Sequence, residues 1–365
     1  MDVEEPLVLL NPGPACTSER VRAALGRGDM CHREPEFSEL LASIRDGLVR
    51  SLGVASTHEA VVLTGSGTAS LEMATISSVR AGRKMLVVVN GVYGERIARI
   101  ARTHGIEVVE VRSPNTVPAD PAEVVAVLDR HADVDAVACV EHETSTGLLN
   151  PVAEIGRALA SRPVVFCVDA ISSMACEEQE LAGIGGDFIA GTANKGLHGL
   201  PGISFVLVSA EGIERLRQVP ERSLYLNAAT YLDGQRKGDV PFTPAVQVCY
   251  ALDEAIKELE EEGGHKKRAE DYRERAELVR KGYDALGLEI LVEEPYRANC
   301  VTALKLPNGI DYTTLHDRLR ARGFVIYAGQ GNLSSEIFRV ATMGHLSLAQ
   351  LSRFVDALGD ALRER

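Results

Sequence analysis

Two neighbouring stretches, "PVVFCVDA" (residues 163–170) and "DFIAGTANKGLHGLPG" (residues 187–202), decide the fold of this chain. Each contains a short apolar run of the kind that forms a fully buried strand, followed by polar or glycine-rich sequence that ends it. Asp169 is the first polar residue after the first run, and Lys195 follows the second. Adjacent parallel strands would place these two side chains next to each other at one edge of a sheet.

The same alternation of apolar runs and helix-like segments continues from about residue 60 to residue 210. It includes the runs "AVVLT" (60–64), "KMLVVVNG" (84–91), "VDAVACVEHE" (134–143) and "ISFVLVS" (203–209). This pattern predicts an α/β fold in which a parallel sheet is covered by helices on both faces. Ligands of such sheets bind just beyond the carboxyl ends of the strands, so the polar residues at those ends are the candidates for chemistry.

The chain changes character after residue 245. Helices are predicted over about 245–262 and 265–286, separated by Gly263 and Gly264, and shorter strands and helices follow. We therefore predict a large domain over residues 15–245 and a smaller α/β domain over residues 246–365. Residues 1–14, which carry "NPGP", are expected to cross over and join the smaller domain.

Composition excludes several classes of function. The 365 residues carry a net charge of −13, which argues against a general nucleic-acid surface or an anionic membrane surface as partner. No apolar run approaches the roughly 18–20 residues that span a bilayer, and the acidic N-terminal stretch does not resemble a signal peptide. The seven scattered cysteines indicate reduced thiols in the cytoplasm. The nine histidines show no metal-ligand spacing, so no metal is expected.

The segment "TGSGTAS" (64–70) follows a predicted strand and opens a predicted helix. Free N–H groups at a helix start favour an anion, and Ser66, Gly67 and Thr68 could hold a single phosphate group there. An ordinary helix cap after a tight turn is the alternative interpretation. A dinucleotide fingerprint does not fit because its third glycine is missing, and a P-loop does not fit because no Gly-Lys-Ser/Thr follows.

Asp169 and Lys195 each have an ordinary and a chemical interpretation. A strand-end aspartate often caps a loop, but a buried one needs a cationic partner, such as a protonated pyridine nitrogen. A lysine between glycines is often exposed, but in a partly desolvated pocket its pKa falls and it forms a Schiff base with an aldehyde. A phosphate loop, this acid and this lysine, in that order along one sheet, together predict pyridoxal 5′-phosphate as cofactor.

Motifs spread along nearly the whole chain resemble the class V aminotransferases, which are pyridoxal phosphate enzymes of fold type I. They are "LLNPGPACTS", "TGSGTASLE", "NGVYGER", "HETSTGLLNPV", "VDAISS", "ANKGLHGLPGISFV", "RSLYL", "FTP", "GFVIYAG" and "FRVATMG". This resemblance implies a large domain with a mostly parallel seven-stranded sheet, a smaller C-terminal α/β domain, and a homodimer with shared active sites.

Within that family the motifs resemble members that transfer an amino group between an aminophosphonate, such as 2-aminoethylphosphonate, and a 2-oxo acid such as pyruvate. Alanine–glyoxylate and serine–glyoxylate activities remain open. A cysteine desulfurase-like activity is disfavoured because Asn194, not histidine, precedes Lys195, and because "GQGNLSSE" (329–336) contains no cysteine.

The resemblance also implies a role for each candidate residue. Lys195 would carry the cofactor and shuttle the substrate proton, and Asp169 would pair with the ring nitrogen. The other implied contacts are the cofactor phosphate for Ser66, Gly67, Thr68 and Asn194, the cofactor ring for Tyr93 and Ile171, the phenolic oxygen for Thr144, the neighbouring subunit's phosphate for Thr243, and the substrate's anionic group for Arg339. Without the resemblance, Arg339 could equally form a structural ion pair on a strand. Arg33, in a polar loop, is a candidate for a second contact with the anionic group, and an exposed arginine is the alternative interpretation.

Overall fold

The computed structural model describes residues 7–178 and 180–364 of the chain. Its first half alternates short strands with helices, in this order: β1 (Val8–Leu9), α1 (Glu19–Ala24), α2 (Pro35–Ser51), β2 (His58–Gly65), α3 (Gly67–Ile76), β3 (Lys84–Val89), α4 (Val92–Thr103), β4 (Glu107–Arg112), α5 (Pro121–Asp129), β5 (Val134–Val140), β6 (His142–Glu143), β7 (Leu148–Leu149), α6 (Val152–Leu159), β8 (Val165–Asp169), β9 (Phe188–Thr192) and β10 (Gly202–Ser209).

The second half is richer in helix and contains, in order, α7 (Ala210–Leu216), α8 (Ala228–Gln235), α9 (Val246–Glu261), α10 (Gly264–Ala285), β11 (Val301–Lys305), α11 (Tyr312–Ala321), β12 (Phe324–Val325), β13 (Tyr327–Ala328), β14 (Ile337–Ala341) and α12 (Leu348–Arg363). Single turns of 3₁₀ helix lie at Leu181–Gly183, Glu294–Tyr296 and Gly331–Leu333. Gly263, with φ of +108°, separates α9 from α10 because this left-handed conformation favours glycine.

A seven-stranded sheet in the order β2-β10-β9-β8-β5-β3-β4 forms the centre of the molecule. The pairs β8–β9, β5–β8, β3–β5 and β3–β4 are parallel, which confirms the mostly parallel sheet. Strand β10 is antiparallel to both of its neighbours, so the prediction that residues 203–209 join a parallel sheet is wrong for that strand. The connection from β9 to β10, residues 193–201, contains no helix and is too short for a parallel crossover.

Successive residues of the central strands point to opposite faces of the sheet, and helices cover both faces. On one face Val62, Val88 and Val168 pack in a core with α2, α5, α6 and α9. On the other face the neighbouring residues Val61 and Val87 pack with α3, α4, α7 and α8. Burial on both faces explains why these strands are continuous apolar runs and not alternating ones.

The smaller part of the molecule is built on the antiparallel sheet β11-β14-β13 with α10, α11 and α12. Strand β1 joins it by parallel pairing with β12, in the register Val8↔Phe324 and Leu9↔Val325. Residues 8–9, just before "NPGP", therefore pair with the C-terminal elements, and the assignment of residues 1–14 to the smaller domain stays a prediction. Residues 1–6 of that predicted segment lie outside the described residues, and the proposed division at residue 245 stays a prediction.

Candidate active site

The carboxyl ends of β2, β3, β8 and β9 meet at one edge of the central sheet and border a cavity of about 480 Å³. The cavity is lined by Thr64, Gly65, Ser66, Gly67, Thr68, Leu71, Tyr93, Arg96, Ile171, Thr192, Asn194, Lys195, Pro201 and Gly202. The structure thus brings together these predicted site residues: Ser66, Gly67, Thr68, Tyr93, Ile171, Asn194 and Lys195. Their sequence separation is large, but each follows a strand that ends at this edge.

The N-terminus of α3 forms one wall of the cavity. Ser66 occupies the N-cap position with extended backbone, and no side chain caps this helix start within the described part of the chain. A Cβ atom at Gly67 would lie 3.2 Å from Cδ1 of Ile171, so glycine permits the close packing of the helix start against that side chain. Backbone N–H groups at an uncapped helix start carry a partial positive charge and suit a phosphate group.

Lys195 is held by the chain segment that crosses over from β1. Its Nζ donates a hydrogen bond to the carbonyl oxygen of Pro12. A Cβ atom at Gly13 would lie 2.8 Å from Cε of Lys195, and the φ of +116° at Gly13 also favours glycine. Burial under this segment lowers the pKa of Lys195 to about 8, so an appreciable fraction of the amine is neutral and nucleophilic near neutral pH.

Asp169 ends the neighbouring strand and is buried beside the lysine. Its Oδ1 accepts a hydrogen bond from the backbone N–H of Ile171 at 3.0 Å. Burial raises the pKa of the Asp169 carboxyl to about 6, while the charges of Arg96 and Lys195 act in the opposite direction. A carboxylate in such a place is stabilised by a cationic group bound against it, because a buried charge requires a partner.

Arg96 is a cavity residue that sequence reasoning did not identify. Its guanidinium lies over the ring of Tyr93, with Cζ 4.6 Å from the ring centroid, and its Nη1 donates to Thr68 Oγ1 at 3.3 Å. A residue one helical turn after Tyr93 lies on the same face of α4, so the i, i+3 spacing in "NGVYGER" was the available signal. Arg96 adds positive charge beside the start of α3.

Glu143 positions Tyr93 and was also missed. Its carboxylate accepts hydrogen bonds from the N–H groups of Tyr93 at 3.0 Å and Gly94 at 3.3 Å, and from Ser145 Oγ at 2.7 Å. A Cβ atom at Gly91 would lie 2.2 Å from this carboxyl group, so glycine is required for its approach. Burial raises the pKa of Glu143 to about 7. The acid fixes the first turn of α4, which faces the cavity.

Arg339 and Thr144 contact each other instead of lining the cavity. Arg339 is almost completely buried, and it donates from Nε to the carbonyl oxygen of Ala328 and from Nη1 to that of Thr144, both at 2.9 Å. No partner of Nη2 is found among residues 7–178 and 180–364. The guanidinium also contributes to the lowered pKa of Lys195, so its charge acts on the site.

Two further predicted contacts also lie outside the cavity of the single chain. Arg33 is half exposed and pairs with Asp239, with a further bond from Nη1 to the carbonyl oxygen of Val240 at 3.0 Å. Thr243 and Tyr225 line an adjoining groove. This groove and the cavity have Thr64 in common as a lining residue. The roles of Arg33 and Thr243 stay predictions.

The residues that line the cavity, together with Asp169 behind Ile171 in the chain, fit pyridoxal phosphate in kind. An uncapped helix start suits its phosphate, the buried carboxylate of Asp169 suits its ring cation, and the partly buried amine of Lys195 suits its aldehyde. A mostly parallel sheet with these groups at its carboxyl edge is typical of fold-type I aminotransferases. The class of protein that the fold and the site define is therefore the aminotransferase.

The comparison with known families agrees with this class. The family model "Aminotransferase class-V" matches residues 17–353, and the chain belongs to that family. Members of this fold-type I family generally depend on pyridoxal phosphate.

Several relatives match over almost their whole length. A 2-aminoethylphosphonate–pyruvate transaminase of Syntrophobacter fumaroxidans is 35% identical over 98% of this chain and 97% of the relative. A protein of the same name from Bacillus cytotoxicus is 33% identical over 97% of this chain and 98% of the relative.

Among solved structures, an alanine–glyoxylate aminotransferase from Nostoc sp. superposes with a TM-score of 0.93 at 25% identity. The match covers 100% of this chain and 97% of that one. These comparisons confirm the predicted family and fold class. Within the described ranges, no helix has both the length and the apolar character needed to cross a membrane.

Proposed function

We propose that this enzyme transfers the amino group of 2-aminoethylphosphonate, or a close analogue, to a 2-oxo acid such as pyruvate, with pyridoxal phosphate held in the cavity beside Lys195. The observation that carries the amino donor is the name shared by the Syntrophobacter fumaroxidans and Bacillus cytotoxicus relatives, which match at 35% and 33% identity. The observation that carries the cofactor is that Asp169 ends β8 and Lys195 follows β9, which pairs with β8, so that the two charges act on each other while Lys195 lines the cavity.

The cofactor's three recognition groups have partners in this chain. The α3 start with Ser66, Gly67 and Thr68 would hold the phosphate, with Arg96 adding charge beside it. Asp169 would hold the ring cation. When bound, pyridoxal phosphate supplies the electron sink that lets an amino group leave one carbon and join another.

Lys195 performs the proton transfers of the proposed reaction. Its neutral amine can accept a proton from the substrate carbon that bears the amino group, and its ammonium form can return a proton in the second half of the reaction. Burial sets its pKa at about 8, close to the pH at which both forms are available. The Pro12 carbonyl accepts from the same Nζ and limits where the amine can point.

Arg339 would orient the substrate by its anionic group. Two of its donors are fixed on backbone carbonyl oxygens, which leaves Nη2 to bind a phosphonate or carboxylate. A donor and an acceptor that both carry an anionic group would then enter in the same orientation. This accounts for one site serving an aminophosphonate and a 2-oxo acid in turn.

We further propose that the enzyme is a cytoplasmic homodimer in which Thr243 reaches the partner's cofactor phosphate. The support is the position of Thr243 outside its own cavity, in a groove beside exposed Leu224 and Tyr225. All seven cysteines are free, as suits a reducing compartment. Light scattering would give the mass of the assembly, and a monomer would contradict the shared site.

A donor panel tests the substrate. The purified enzyme with added pyridoxal phosphate is incubated with pyruvate and one amino donor at a time, and alanine formation is measured by mass spectrometry. The same panel is run with glyoxylate as acceptor, and glycine formation is then measured. We expect turnover with 2-aminoethylphosphonate and pyruvate, and none with Lys195→Ala.

Lys237→Ala, which removes an exposed lysine, is the matched control and should retain turnover. Turnover with serine or alanine and glyoxylate, but not with the aminophosphonate, would reject the proposed donor and favour a glyoxylate aminotransferase. Turnover by Lys195→Ala would reject the assigned role of the lysine.

A further inference from the structure

Three buried side chains with metal-binding atoms converge next to the candidate active site. Cys300 Sγ lies 3.5 Å from His142 Nδ1 and 3.6 Å from Glu177 Oε1. All three side chains are buried, and their donor atoms lie within 4.8 Å of one another. The carbonyl oxygen of Ser172 is a fourth donor, 3.3 Å from the sulfur and 3.4 Å from the same imidazole nitrogen.

The distances around the sulfur match those of a tetrahedral zinc site. Zinc binds sulfur at about 2.3 Å and nitrogen or oxygen at about 2.0–2.1 Å, so adjacent ligand atoms lie roughly 3.3–3.8 Å apart. Thiolate, imidazole and carboxylate are all ligands that zinc uses. Histidine spacing in the sequence gave no such signal because the three residues come from β6, the loop after β8 and the segment before β11.

The contact of His142 within this cluster is long for a hydrogen bond. Its Nδ1 lies 3.4 Å from the carbonyl oxygen of Ser172, beyond the length of an ordinary N–H···O bond. A zinc ion bound at Nδ1 would replace this long contact by a short ligand bond, with the ring proton on Nε2.

The charges of the cluster also suit a divalent cation. A divalent ion with one thiolate, one carboxylate and one neutral imidazole forms an assembly without net charge, which low-dielectric surroundings tolerate.

We propose that His142 Nδ1, Glu177 Oε1 and Cys300 Sγ, with the carbonyl oxygen of Ser172, bind one zinc ion. Binding displaces the protons of the thiol and the carboxyl group to solvent, and no oxidation or reduction is involved. The site joins the two parts of the molecule, since Glu177 also accepts from the N–H of Asn299 at 2.8 Å, beside Cys300. Zinc therefore clamps the start of β11 to the edge of the central sheet and stabilises the fold. This proposal differs from the sequence-based expectation of no metal, which stays a prediction until zinc content is measured.

Zinc retention tests the proposal on the cofactor-loaded enzyme. The protein is stripped with EDTA, dialysed against zinc chloride buffered by a competing chelator, and analysed by mass spectrometry of its metal content and by thermal unfolding. We expect one zinc per chain and a raised Tm for the wild type. In Cys300→Ala and Glu177→Gln, zinc affinity should fall by more than the roughly 10- to 100-fold that loss of an outer partner costs, and the Tm gain should disappear.

Cys249→Ala is the matched control, because Cys249 is another buried free thiol, in α9, outside the cluster. It should retain zinc like the wild type. Circular dichroism checks folding, and the isosteric Glu177→Gln decides the test if Cys300→Ala does not fold. A wild type that retains no zinc, or a Glu177→Gln variant that retains as much as the wild type, overturns the proposal. Neither result depends on which amino donor the enzyme uses.

Discussion

Replacing Lys195 by methionine should change how the stability of the cofactor-free chain depends on pH. The folded-state pKa of Lys195 is about 8, below the ordinary value of 10.5, because burial removes the ammonium group from water. Between these two values the unfolded chain binds a proton at this site that the folded chain does not. The free energy of unfolding of the wild type therefore rises with pH across this window, and below about pH 8 the folded chain bears the cost of a buried charge.

The size of the effect follows from the difference of 10.5 − 8 = 2.5 between the two pKa values. This corresponds to about 3 kcal/mol over the whole window, of which about 2.5 kcal/mol falls between pH 7 and pH 10. Lys195→Met keeps a flexible side chain of similar length and has no charge to bury. Its stability should lack this pH-dependent gain, and at pH 7 it should exceed that of the wild type.

Urea unfolding of both cofactor-free proteins at pH 7 and pH 10, followed by circular dichroism, measures the difference. We expect the stability of the wild type relative to Lys195→Met to increase by about 2.5 kcal/mol between the two conditions. Lys237→Met removes an exposed ammonium group and serves as the control, with no such gain expected. Parallel pH dependences of the wild type and Lys195→Met would refute the buried, weakly basic lysine on which the proposed mechanism relies.

Three further predictions concern the same site. Asp169→Asn keeps the shape of the side chain but removes its charge, so turnover should fall at least about 100-fold and dialysis should remove the cofactor more easily. Unchanged turnover and cofactor retention would contradict the ion pair between Asp169 and the ring. Arg339→Lys loses the planar guanidinium, so the KM for 2-aminoethylphosphonate should rise about 10- to 100-fold with a much smaller change in kcat. Steady-state kinetics that show an unchanged KM would contradict the role assigned to Arg339. Stopped-flow absorbance should show that the cofactor-free chain captures pyridoxal phosphate about tenfold faster at pH 9 than at pH 7, because the neutral fraction of Lys195 grows through its pKa of about 8; a flat profile would contradict this.

The central sheet and its catalytic edge could be predicted because their signals are local. Each buried strand is a continuous apolar run, and the first polar residue after it, such as Asp169, marks where the strand ends. Arg96 was within reach of the same reasoning, since it follows Tyr93 at helical spacing. The antiparallel direction of β10 was harder to predict, because an apolar run gives no information about the direction of the strand. The short connection from β9 to β10 is the one signal of that direction.

Contacts between distant segments could not be read from sequence patterns. The carbonyl oxygen of Pro12 that accepts from Lys195, and that of Thr144 that accepts from Arg339, are backbone atoms that any residue supplies. Likewise, the local sequence around His142, Glu177 and Cys300 contains no pattern that predicts their contact in the fold. Such contacts depend on how the smaller part of the molecule packs against the central sheet. No local sequence pattern determines that packing.

These long-range contacts explain why a lysine in a glycine-rich loop becomes chemically competent. The loop itself only brings Lys195 to the sheet edge, where an amine open to water would keep a pKa near 10.5 and remain protonated. The segment of Pro12 and Gly13 closes over the side chain, and this segment is held in place by the pairing of β1 with β12 in the smaller part. A change that loosens that pairing should therefore raise the pKa of Lys195 and slow proton transfer without touching the cavity. The reactivity of the lysine is in this sense a property of both parts of the molecule.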